Sequence, residues 1–154
     1  MRKPTGGQLP PRVASEGPER DHLMRETVAK AHELLKEAAS LNPAMHGHMI
    51  AHGCYYASFW LARALMVKLD GTYPYRHETT EARFLEIVRA AGEQSALAEA
   101  YGVYVDTAKE RGICDYDRSY RPSAARSQQI INGMHRFFEL VTAMCVTSGG
   151  ADGR

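Results

Sequence analysis

The chain has 154 residues, 19 Lys and Arg against 18 Asp and Glu, 44% hydrophobic and 24% charged residues. That balance suits one globular domain and excludes a wholly disordered chain; the near-zero net charge excludes histone-like bulk binding to nucleic acid, though not a local basic site. The longest apolar stretches are broken by Arg63, Lys68 or Glu139, so no bilayer-spanning segment and no membrane partner is expected.

The first 19 residues hold seven of the 20 Gly and Pro, and the last eight hold three more. We therefore read 1–19 as a disordered tail, 20–146 as a single helical domain and 147–154 as a flexible tail. The N-terminal stretch has no apolar core of the kind a secretion signal needs. Cys54, Cys114 and Cys145 form no CxxC pair, which argues against a zinc or redox motif and for a reducing, cytoplasmic setting.

With 21 Ala against 13 Val and Ile, the composition favours helix. The first helix is predicted over Asp21 to Leu41, with Met24, Val28, Ala31, Leu35 and Ala38 on one stripe. Asn42-Pro43 stops it and is expected to start the next helix, with Asn42 as its N-cap. That second helix, Ala44 to about Asp70, is apolar on nearly every side, so it needs neighbours all round or a second copy of the chain.

The loop GTYPYRHETT leads to a short helix around Phe84 and Val88, weakened at Gly92. A further helix carries Leu97, Tyr101, Tyr104, Val105 and Ala108 and is expected to end at Arg111-Gly112. The loop CDYDRSYR follows, and Pro122 opens a last helix with the stripe Ile130, Ile131, Met134, Phe137, Phe138, Val141, Met144 and Cys145. Short connections between four or five helices predict an all-α, antiparallel up-and-down bundle.

The run HGCYYASFWLARALMVKLDG resembles the second helix of HEPN-domain proteins, Arg-x-Tyr-Tyr-Ala-x-Phe-x-x-Ala-Arg-Ala-Leu, through Tyr55, Tyr56, Ala57, Phe59, Ala62, Arg63, Ala64 and Leu65. His77 and Phe84 are similar to a histidine and phenylalanine after the family's next loop. The family's Arg-x-x-Ala-Asp-Tyr-Asp is approximated by Arg111 with Asp115, Tyr116 and Asp117. The resemblance spans about Lys30 to Ala143. It implies a homodimeric bundle associated with RNA or nucleotides, of the kind found in toxin–antitoxin or defence modules and often partnered by a nucleotidyltransferase. Many family members are metal-independent ribonucleases with an Arg-x(4–6)-His motif, whose arginine stabilises phosphorane charge and whose histidine moves protons. Here Tyr116, Asp117 and Arg118 stand where that histidine should be, and Gly53 replaces the arginine before the tyrosine pair. The chain is closer to the branch with the DYD motif.

Arg111, Asp115, Tyr116, Arg118, Arg121 and Arg126 are the candidate ligand-binding residues: four guanidiniums for phosphate, with Tyr116 and Tyr120 at hand for base stacking. The plainer alternatives are helix capping and solvated surface. Arg111, Asp117 and the off-stripe His135 are the candidates for any catalysis; Asp117 would need a raised pKa to take a proton beside a phosphodiester. His48 and His52 have the four-residue spacing of a helical metal pair but no glutamate between them, so no metal and no cofactor is expected. Arg63, the one charge in the middle of the most apolar helix, should meet a carboxylate or project across a subunit boundary.

Overall fold

The computed structural model describes residues 17–92 and 95–146. Five helices lie among them: α1 Pro18–Ser40, α2 Gly47–Asp70, α3 His77–Ala91, α4 Ala96–Tyr116 and α5 Ala124–Val146. They form an all-α bundle, and no helix among the described residues is long and apolar enough to cross a membrane. Most of both predicted tails, residues 1–16 and 147–154, lies outside the described residues; Pro18 and Glu19 already belong to α1.

α1 opens with Pro18 in its first turn and Glu19 and Asp21 beside the positive end of the helix dipole. Met24, Ala31, Leu35 and Ala38 are buried as its stripe predicts, and Val28 packs against the core. Asn42 does not cap α2. Its Oδ1 accepts the Ala44 N–H at 2.9 Å and its carbonyl accepts from Met45 and His46, which closes a separate turn. α2 then starts at Gly47 with His46 at the N-cap. At the far end Gly71 takes a left-handed conformation (φ 70°), and Arg20 reaches across to the carbonyls of Val67 at 2.5 Å and Lys68 at 2.9 Å. These are two of the carbonyls that a helix end leaves without partners.

α2 is the centre of the bundle: α1, α3, α4 and α5 all pack on it. Its all-round apolarity is thereby accounted for within one chain. Ile50, Cys54, Ala57, Leu61, Leu65 and Met66 are wholly buried and meet Phe84, Tyr104, Met134, Phe137 and Val141 from the other helices. Gly53 permits the α1–α2 approach, because a Cβ there would sit 2.9 Å from the Ala38 methyl. All three cysteines are free, and burial pushes the Cys54 thiol up to about 12, so it is an inert core side chain.

α4 does not end at Arg111-Gly112. It runs through Gly112 to Tyr116, held by the Ser95 hydroxyl at its start and the Asp117 N–H to Ile113 carbonyl bond at its end. A mid-helix glycine costs only about 1 kcal/mol against alanine, which the burial of Cys114 two residues later offsets. Arg111 and Asp115 are therefore one turn apart on a continuous helix, not either side of a helix end. The α4–α5 seam is closed by Arg126, whose guanidinium donates to Glu110 at 3.0 Å and Asp106 at 2.8 Å.

Candidate functional site

The packing of α4 on α2 brings Arg111 and Asp115 against His52, Tyr55 and Tyr56. The Arg111 guanidinium lies over the Tyr55 ring, 4.8 Å from its centre, and 5.7 Å from that of Tyr56. Arg111 Nε is 3.3 Å from Asp115 Oδ2 but makes no hydrogen bond, so that contact is Coulombic. The other oxygen of Asp115 lies 2.6 Å from His52 Nε2, while His52 Nδ1 faces the His48 carbonyl at 2.8 Å.

Tyr55 continues the cluster on the other side. Its hydroxyl shares a hydrogen bond of 2.7 Å with His77 Nδ1, and burial raises its pKa, which keeps the phenol protonated. The His77 ring packs on Phe59 with centres 4.2 Å apart. Burial, then the charges of Arg111 and Arg63, hold the imidazole below the usual histidine range. A neutral ring that accepts at Nδ1 carries its proton on Nε2. Arg111, Tyr55 and His77 thus form one connected group of cation, phenol and neutral imidazole.

The remaining sequence candidates are distributed unevenly. Tyr116 is 90% exposed at the end of α4. Arg118 is exposed in the following loop. Arg121 lies 3.2 Å from the Tyr120 carbonyl and 3.2 Å from His48 Nε2. His48 Nε2 donates to that same carbonyl at 2.9 Å and so has no lone pair left for Arg121, which only packs against the ring. Asp117 caps α4 and accepts from the Ser119 hydroxyl and N–H at 2.7 and 2.9 Å. Those bonds lower its pKa, the opposite of what proton abstraction beside a phosphate requires.

Of the four arginines in 118–136, two are engaged within the bundle. Arg126 is held by Asp106 and Glu110, and Arg136 grips Glu99 at 2.7 and 3.3 Å. His135 is exposed on α5, nine residues past Arg126 and so roughly 13 Å further along the helix. His48 and His52 share a helix face, yet both rings are taken up by protein acceptors. The described residues contain no group of three or more metal-type ligands.

Two features escaped the sequence reading. Glu110, 3% exposed, sits in a Lys-Glu-Arg run that reads as solvated surface, and only its position on the buried side of α4 reveals it. Arg63 meets no carboxylate among the described residues; the rings of Phe59, Trp60, Tyr73 and Tyr75 surround it instead. The alternating tyrosines of GTYPYRH were the available signal. Scans of this chain against protein-family models, curated proteins and solved structures find no match.

Proposed function

We propose that this chain is a HEPN-like, dimeric helical domain that binds RNA or a nucleotide, within a toxin–antitoxin or defence-type module. The observation that carries this reading is the Arg111 guanidinium stacked on Tyr55 and Tyr56 beside His77. At the end of α4 and in the loop beyond it Tyr116, Arg118 and Arg121 stand exposed, and neither arginine has a carboxylate partner among the described residues. Guanidiniums for phosphate and exposed phenol rings for bases are the two elements a single-strand site combines. A second copy would cover the exposed α2 side chains Met49 (61% exposed) and Tyr56 (39% exposed), of which Tyr56 lies against Arg111.

The test is binding and cleavage of labelled single-stranded RNA, with and without EDTA, by the wild type, Arg111→Ala and Arg118→Ala/Arg121→Ala. Binding should weaken with salt, and each phosphate contact removed should lower the log–log salt slope by about 0.7. Wild-type and variant proteins that bind RNA equally would overturn the reading, as would protein that binds neither RNA nor a free nucleotide.

The bond from Tyr55 to His77 favours one second reading, metal-independent cleavage. In it His77 supplies the imidazole that the Arg-x(4–6)-His spacing lacks, and Arg111 stabilises the charge. Turnover in EDTA that His77→Gln abolishes, with RNA affinity retained, is its signature. If neither binding nor cleavage occurs, Met45, Met49 and Tyr56 become the surface of a non-catalytic partner of a nucleotidyltransferase.

A further inference from the structure

Arg63 projects from the middle of α2 and is 6% exposed. Its guanidinium carbon lies 3.8 Å from the centre of the Tyr73 ring, 4.7 Å from Trp60, 5.1 Å from Phe59 and 5.6 Å from Tyr75. Nε is wholly buried with no hydrogen bond, and no carboxylate or carbonyl among the described residues pairs with the group. The two terminal nitrogens are not among the fully buried atoms without partners, so they still reach the surface. Aromatic faces attract a cation but accept no strong hydrogen bonds, so the donor capacity of this guanidinium is unspent.

The outer wall of the box offers a surface as well as a charge. Tyr75 is 68% exposed, and its ring meets Tyr73 edge-on (82°, centres 5.7 Å apart), which leaves a ring face to solvent. Trp60 is half-buried beside it. We propose that the Arg63 box is a nucleotide-binding subsite: the guanidinium fork takes the phosphate group, and the exposed Tyr75 ring stacks the base. A phosphate suits the fork, and the open tyrosine face is what a simple carboxylate would not use. Phe59 touches both Arg63 and His77, so the subsite adjoins the Arg111–Tyr55–His77 group. The inference therefore deepens the nucleotide-binding reading and rests on it.

Trp60 is the sole tryptophan of the chain and belongs to the box, so its fluorescence reports occupancy directly. Wild-type protein is titrated with AMP, inorganic phosphate and adenosine, followed by Trp60 emission and calorimetry. AMP should give a saturable change, phosphate a weaker one and adenosine none. Arg63→Lys, which keeps a charge but loses the fork, should weaken AMP at least tenfold. Tyr75→Ala alters an exposed side chain and so keeps the fold even if Arg63→Lys does not. It should weaken AMP at least threefold and leave inorganic phosphate unchanged. No saturable Trp60 response to AMP, or equal AMP affinity in the wild type and both variants, overturns the subsite. So does an Arg63-dependent response to a glutamate-rich peptide with none to AMP, which would assign the box to a protein partner. RNA binding that depends on Arg111 in protein whose box ignores AMP would sink the subsite alone. AMP binding in the box by protein that ignores RNA would support the subsite and confine the wider reading to free nucleotide.

Discussion

Arg126 is the side chain whose removal should report most clearly on how α4 and α5 are joined. It donates through Nε to Glu110 at 3.0 Å and through Nη2 to Asp106 at 2.8 Å. The Glu110 side chain is 4% exposed, whereas Asp106 is 47% exposed. The outer pair should be worth at most about 1 kcal/mol, because water screens it. The inner one is different: Arg126→Ala strands a carboxylate inside the bundle with only the Tyr120 hydroxyl as donor, and breaking such a pair costs about 3–5 kcal/mol. We expect about 3 kcal/mol in urea unfolding, the lower end of that range, since the Tyr120 hydroxyl still donates to Glu110. With a slope of about 2 kcal/mol/M, the midpoint should fall by roughly 1.5 M. The double variant Arg126→Met/Glu110→Met replaces both partners with apolar groups and should recover most of that loss. Loss of less than about 1 kcal/mol in Arg126→Ala, or no recovery in the double variant, would refute this account. The double variant also tests the nucleic-acid role given to Arg126 by the sequence: a structural clamp predicts unchanged RNA affinity.

Further outcomes can be checked on the same protein. Gly53→Ala puts a methyl group 2.9 Å from the Ala38 methyl and should cost about 1–3 kcal/mol in thermal unfolding, and Ala38→Gly should rescue part of it. Arg20→Ala removes two hydrogen bonds to the carbonyl end of α2 and should cost about 1–2 kcal/mol in urea, with faster amide exchange in the last turn of that helix. His77 titrates below the usual histidine range in the folded chain, so the unfolded chain binds its proton first as pH falls. Its contribution to stability is therefore complete above about pH 6.5 and is lost as pH drops towards the folded value; His77→Gln should flatten that part of the stability–pH curve. Asp117→Asn should leave RNA binding and any cleavage unchanged, because that carboxylate serves the Ser119 turn.

Helices were legible wherever apolar spacing carried them. The stripes of α1 and α5 name most of the buried residues, although Val28, Phe138, Met144 and Cys145 are only half-buried, and the breadth of apolar positions on α2 reports its central place. The ends were less legible, for local reasons. Asn42-Pro43 carries every sign of a helix start, yet its capping capacity goes to a turn of its own. Gly112 reads as a stop, but tertiary burial of Cys114 outweighs its propensity and carries α4 on to Tyr116. The site was legible as residue types and not as partnerships. Arg111, Asp115 and Tyr55 were on the page; that His52 and His77 complete their surroundings depends on how two helices cross, which spacing does not encode. The same limit applies to Arg126, whose carboxylates lie 16 and 20 residues away in sequence.

With four helices leaning on α2, no part of that rod can be sheltered until its companions have arrived. The chain should then melt as a single unit, with the slowest-exchanging amides midway along α2 near Leu61 and the fastest at the outer turns of α3. A protease nick in the connection after Ala91 would loosen one stave of the barrel; the same cut within α2 would leave nothing for the others to rest on.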